Sequence, residues 1–223
     1  MSAPCRIYPD LPQGLFNSPN NAGPSLVTKK LRRDLSATAL FLQEWMRRPG
    51  QIGAVAPSSR QLGKAMARWL PENRDDLVVE LGPGTGSITA ALLEHGLPHG
   101  NLLAIEMSQP LSELLRKRFP RIGVVTGDAL ELDSLVRSHS VAGRRVGAVI
   151  SSLPLRQFSP EFTRALAGKI RAVLRPGGCW VQFSYHLGNR TQHGSEQFHL
   201  RSSNIVWLNL PPARVCVYQK IAA

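Results

Sequence analysis

The sequence predicts an α/β protein: a doubly wound, mostly parallel sheet with an antiparallel C-terminal hairpin, preceded by amphipathic helices. Three observations carry this. Beyond Asp76, short apolar runs alternate with amphipathic stretches, as in βαβ units. The first run flows into a glycine-rich turn, Gly82-Pro83-Gly84-Thr85-Gly86. Near the C-terminus two segments alternate apolar and polar residues on either side of Pro211-Pro212. The 223 residues suit one principal domain with an appendage, divided as a tail over 1–28, a basic helical extension over 29–75 and the main domain over 76–223.

Each element has its own signal. Residues 1–28 mix Pro4, Pro9, Pro12, Pro19 and Pro24 with asparagines and glycines, which supports no periodic apolar face. From Leu31 the spacing turns helical: Leu31, Leu35, Leu42, Trp45 and Met46 recur among Lys29, Lys30, Arg32, Arg33, Arg47 and Arg48, until Pro49-Gly50. A second helix is predicted from Ser59 to Leu70 on Leu62, Ala65, Met66 and Trp69, with Arg60, Lys64 and Arg68 outside and Pro71 closing it. Strands are expected at Leu77–Leu81, Asn101–Ile105, Ile122–Val125, Val146–Ile150 and Cys179–Tyr185. Helices are expected at Gly86–His95, Gln109–Phe119 and Pro160–Leu174. The closing hairpin falls at Asn204–Asn209 and Arg214–Gln219.

Composition narrows the function classes. Hydrophobic residues make up 43% and charged residues 19%, ordinary for a globular protein, and no apolar run is long enough to cross a bilayer. The N-terminus lacks a secretory pattern, which predicts a cytoplasmic protein. Cys5, Cys179 and Cys216 form no Cys-x-x-Cys pair, which argues against a metal site; Cys179 and Cys216 fall in strands, as neighbours or as separate buried thiols. The net charge of +12 calls for a polyanionic partner, nucleic acid or anionic lipid.

The chemistry centres on Val78-Val79-Glu80-Leu81-Gly82-Pro83-Gly84-Thr85-Gly86. Its Gly-x-Gly-x-Gly spacing differs from the Gly-x-Gly-x-x-Gly of dinucleotide-binding folds. Glycines here allow a sharp turn and close approach of ligand to backbone, and the following helix presents free N–H groups. Glu106, at the end of the second strand, is placed to accept hydrogen bonds from ribose hydroxyls. Asp128 follows the third strand, within reach of an adenine amino group across the same crevice.

Together Glu80, Gly82, Gly84, Gly86, Glu106 and Asp128 resemble the cofactor pattern of class I S-adenosylmethionine-dependent methyltransferases, a Rossmann-like fold. The resemblance implies S-adenosylmethionine as methyl donor and S-adenosylhomocysteine as product. It implies a cofactor site of Ser58, Glu80, Gly82, Gly84, Thr85, Gly86, Glu106, Met107, Asp128, Ala129 and Ser151, with Glu80 holding the methionine end.

The acceptor turn is Ser151-Ser152-Leu153-Pro154-Leu155. RNA adenine dimethylases usually carry Asn-Leu-Pro and then Tyr or Phe here, for the amine and the stacked base. Ser152 and Leu155 replace both features, with Phe158 as the nearest compensating ring. Gly53 to Ser59, Ser151 to Leu155, Val181 to Tyr185 and Asn209 to Ala213 resemble instead the bacterial phospholipid N-methyltransferases, which act on phosphatidylethanolamine towards phosphatidylcholine, and their ornithine-lipid relatives. That resemblance implies a peripheral enzyme at the inner face of the cytoplasmic membrane. An aminophospholipid or aminolipid is its substrate, and the docking residues are Lys29, Lys30, Arg32, Arg33, Trp45, Arg47 and Arg48. Tyr185, Ser151 and Ser152 are the candidates for orienting the amine, with His186 and His199 as further bases. RNA base methylation is the alternative, and a non-catalytic membrane- or nucleic-acid-binding module a third.

Overall fold

The computed structural model describes residues 59–139, 144–187 and 198–221. The tail over 1–28, the basic helix expected from Leu31 and the candidate cofactor residue Ser58 lie outside the described residues.

Helix α1 (Arg60–Ala67) starts at Ser59, whose extended backbone and hydroxyl cap the Leu62 N–H at 3.2 Å. It buries Leu62, Gly63, Met66 and Ala67 and leaves Arg60, Lys64 and Arg68 exposed. The helix stops short of Pro71, because Trp69 and Leu70 donate to the carbonyls of Met66 and Ala67 in tighter turns. A Cβ on Gly63 would sit 2.4 Å from the Ala91 Cβ, so only glycine permits this approach to α2 (Ser87–Glu94).

The sheet follows the expected order of elements. Strands β1 (Leu77–Leu81), β2 (Leu102–Glu106), β3 (Gly123–Thr126), β4 (Val146–Ser151) and β5 (Leu174–Ser184) pair in parallel, while β6 (Phe198–Val206) and β7 (Ala213–Lys220) pair antiparallel. Their spatial order is β3-β2-β1-β4-β5-β7-β6. Every residue of β1, β2 and β4 is buried, which explains their uninterrupted apolar runs. Helices α3 (Gln109–Arg118), α4 (Leu132–His139) and α5 (Pro160–Val173) join α1 and α2 in covering the sheet. One core contains Leu81, Ile105, Val149, Phe162, Leu166 and Trp180; the other contains Leu62, Met66, Val78, Ile88, Leu102 and Ile150.

Three expectations are corrected. Helix α4 was not anticipated, although Leu132, Leu135 and Val136 stand at helical spacing and pack on the core; it is only two turns long. Strand β5 begins at Leu174, although Pro176-Gly177-Gly178 reads as a turn. Strand β6 ends at Val206, and residues 207–209 form a turn. As expected, Cys179 and Cys216 are separate buried free thiols: they pack in different cores and pair in register with Gln219 and Gln182, not with one another. Among the described residues no helix is long and apolar enough to cross a membrane.

Candidate active site

The strand register brings the carboxyl ends of β1, β2, β4 and β5 together. Leu81 lies beside Ile105 on one side and Ser151 on the other, and Ser151 beside Gln182. Chain order reverses around β1, so the loops leaving β1 and β4 diverge and open a crevice.

The glycine turn forms one wall. Gly82, Gly84 and Gly86 have φ of 65°, 59° and 85°, which only glycine adopts without strain. Gly82 donates to the Ile105 carbonyl at 3.0 Å and Gly86 to the Pro83 carbonyl at 2.9 Å. A Cβ on Gly82 would lie 2.8 Å from Leu153, and one on Gly86 2.5 Å from Phe119, whereas one on Gly84 would project into open space. Gly84 is thus the point where a ligand can touch backbone. Thr85 is exposed, and its carbonyl accepts from Arg118 Nη1 at 2.6 Å.

Two carboxylates stand behind the turn. Glu80 is completely buried; its Oε2 accepts from Thr89 Oγ1 at 2.7 Å, and Oε1 has no hydrogen-bond partner. Burial pushes its pKa up from 4.5 to about 7, opposed by the Thr89 hydrogen bond and reinforced by the charge of Glu106. Glu106 accepts from the N–H groups of Gly84 and Ser108, both at 3.0 Å, yet burial still raises its pKa. Among the described residues neither acid has an ion-pair partner. Such a site favours a cationic ligand. Half-buried Asp128 is raised by desolvation as well, while its Oδ1 caps the Leu130 N–H at 2.9 Å. Met107 and Ala129 are half-buried beside these acids in the chain.

At the acceptor turn, Ser151 is buried and Ser152 donates its N–H to the Leu81 carbonyl at 2.9 Å. The Ser152 hydroxyl is buried without a partner. Gln182, which had no assigned role, is 2% exposed and donates to the carbonyls of Leu153 at 2.9 Å and Phe183 at 2.8 Å, leaving its Oε1 buried and unpaired. A lone polar residue in the run Val181-Gln182-Phe183 was the available signal.

The other candidates separate. Tyr185 lies beyond the end of β5, its ring edge-on to Phe183 at 5.4 Å. Exposed His186 follows it. His199 is not brought to the site: it lies near the start of β6, whereas the carboxyl end of β5 meets the opposite end of the hairpin. Phe158 packs on Phe162 at 4.5 Å and against the core, so it does not replace the missing stacking ring. Among the described residues no cluster of His, Cys, Asp and Glu could hold a metal ion.

The residues present fit S-adenosylmethionine. The unpaired Glu80 Oε1 and the open face of Gly84 are complementary to its cationic amino-acid end, and Glu106 adds an acceptor beside the turn.

The methyltransferase domain model matches residues 78–178. The chain is 31% identical over 148 residues to an ornithine lipid N-methyltransferase of Singulisphaera acidiphila, covering 65% of this chain and 76% of that protein. It is 36% identical over 96 residues to a ribosomal RNA small subunit methyltransferase A of a Synechococcus strain, covering 41% of this chain but 30% of that one. Among solved structures, the 1,6-didemethyltoxoflavin-N1-methyltransferase of Burkholderia thailandensis superposes with TM-score 0.62 at 17% identity, over 90% of this chain and 93% of that one. Magnesium protoporphyrin IX methyltransferase of Synechocystis gives TM-score 0.57 at 16% identity, over 91% and 100%. With a fold shared by these enzymes and a relative matched over three quarters of its length, the chain belongs to the class I S-adenosylmethionine-dependent methyltransferases.

Proposed function

We propose that the protein methylates the headgroup amine of a membrane lipid, an ornithine lipid or phosphatidylethanolamine, at an anionic membrane surface on the cytoplasmic side. The observation that carries this reading is the match to the ornithine lipid N-methyltransferase, which spans most of that relative. The net charge of +12 and the acceptor turn, with Ser152 and Leu155 where a base-binding amide and ring would stand, support it.

S-adenosylmethionine, when bound, supplies an electrophilic methyl group on a sulfonium. The chain's own residues do the rest. Glu80 and the Gly84 backbone hold the cofactor's amino-acid end, Glu106 the ribose and Asp128 the adenine. Because an alkyl ammonium has a pKa of about 10, the acceptor needs an environment that releases its proton. A dry site with the Ser151 and Ser152 hydroxyls and the Tyr185 ring as orienting groups supplies this by desolvation and alignment. Gln182 positions the turn that presents them.

The test is transfer of labelled methyl from S-adenosylmethionine to ornithine lipid and to phosphatidylethanolamine, each dispersed in detergent micelles, with ribosomal RNA in a parallel reaction. Label in a lipid product is expected. Label only in RNA would replace this reading with base methylation, the second reading favoured by the 36% identity to the ribosomal RNA enzyme. Label in none of the three would refute both.

A further inference from the structure

The β6–β7 turn is built with its apolar residues outward. Trp207, Leu208 and Leu210 are 68%, 78% and 80% exposed, although β7 behind them is largely buried within the sheet. The turn is a formed structure. Asn209 is 3% exposed; its Nδ2 donates to the Pro211 carbonyl at 2.7 Å, and its Oδ1 accepts from the Ser59 N–H at 2.9 Å. One buried amide therefore holds the apolar residues on either side of it in solvent.

Position and charge give this surface its meaning. Strand β5 runs to its carboxyl end at Ser184, which pairs with Arg214 of β7, and Ala213 pairs with Val206 of β6. The turn is thus at the same end of the sheet as the crevice between β1 and β4. A groove runs back from it between α1 and the hairpin, with Lys64 and Arg68 beside Trp69, Trp207 and Leu208. Among the described residues Lys64 and Arg68 form no ion pair, whereas Arg60 is matched by Glu94 at 3.9 Å.

An apolar tip with a tryptophan, backed by cations that form no ion pair among the described residues, has the chemistry of the boundary between lipid headgroups and acyl chains. The chain's own N-terminal segment is a poor occupant: Lys29, Lys30, Arg32, Arg33, Arg47 and Arg48 would repel Lys64 and Arg68. We propose that Trp207, Leu208 and Leu210 insert into an anionic bilayer and, with Lys64 and Arg68 on lipid phosphates, turn the active-site end of the sheet toward the membrane. This rests on the lipid reading for its purpose, but its test is separate.

The full-length protein is sedimented with vesicles of phosphatidylglycerol and phosphatidylethanolamine. Trp207→Ser/Leu208→Ser/Leu210→Ser is expected to weaken partitioning about tenfold or more, because three interfacial anchors are lost. Affinity for S-adenosylhomocysteine and methyl transfer to micellar lipid are expected to stay unchanged. A second measurement uses acyl-chain-brominated lipid: Trp207→Phe is expected to abolish part of the fluorescence quenching. Wild-type partitioning of the triple variant, or unchanged quenching in Trp207→Phe, would overturn the proposal. A Trp207 shielded from acrylamide in the free protein would also overturn it, by showing the surface covered by the chain itself. Vesicle binding through this turn without any lipid product would sink the proposed function and leave the docking surface standing.

Discussion

Gln182 Nε2 lies 2.9 Å from the main-chain oxygen of Leu153 and 2.8 Å from that of Phe183, so one buried amide ties the acceptor turn to β5. Gln182→Leu removes this bond and leaves the Leu153 carbonyl with the Leu155 N–H alone, at a cost of about 0.5–1.5 kcal/mol. We expect kcat to fall about tenfold, with affinity for S-adenosylmethionine within about threefold of wild type. Calorimetric binding beside steady-state kinetics checks this, and an equal loss in both would mean the amide acts on cofactor and not on the turn.

Glu80 gives a pH prediction with a definite sign. Its carboxyl holds a proton up to about pH 7 in the fold but only to about 4.5 when unfolded. Its contribution to stability of the ligand-free protein is therefore full below pH 4.5 and is lost as pH rises to about 7, a change on the order of 3 kcal/mol. Denaturant titrations should show that slope, flattened in Glu80→Gln.

Ligand binding should run the other way. An ammonium at Glu80 needs the ionised carboxylate, so affinity for S-adenosylmethionine is expected to fall below pH 7 by up to about tenfold per unit. Glu80→Gln should bind weakly at every pH. A parallel pH profile in the variant would show that another group titrates.

The three turn glycines should respond differently. Gly84→Ala meets open space and carries only left-handed strain of about 1–2 kcal/mol, so the protein folds while the new methyl occupies the ligand's place. Gly86→Ala drives a Cβ to 2.5 Å from the Phe119 ring and should lower the melting temperature more. Melting curves with and without S-adenosylhomocysteine separate the two effects: the ligand-induced rise disappears in Gly84→Ala.

At the far end of the sheet Asp76, 2% exposed, is paired with Arg175 Nε at 2.5 Å. Arg175→Met strands a buried carboxylate and should cost about 3–5 kcal/mol. Asp76→Asn in the same background should recover part of that loss, measured by chemical denaturation as a double-mutant cycle.

The sequence disclosed most where physics is local. Strands β1, β2 and β4 were legible because each is buried on both faces, and the glycine turn because positive φ admits little else. Helix α4 was missed although Leu132, Leu135 and Val136 carry the helical spacing, because its eight residues are too short for the pattern to repeat. Strand β6 was misplaced because the apolar residues Trp207 and Leu208 read as inward-facing, whereas Asn209 folds them outward by reaching Ser59 across 150 positions. Gln182 escaped for the same reason: its importance lies in reaching Leu153, which is distant in sequence.

The place of β7 bears on how this protein is made. It follows β6 in the chain, yet it sits between β5 and β6 and not at the rim. Until residues 213–220 leave the ribosome, β5 offers an open row of peptide groups beside the Trp180 side chain, and β6 has no sheet to join. The sheet is therefore closed only when β7 docks, and a chain lacking residues 213–220 would be a sticky product, not a trimmed enzyme.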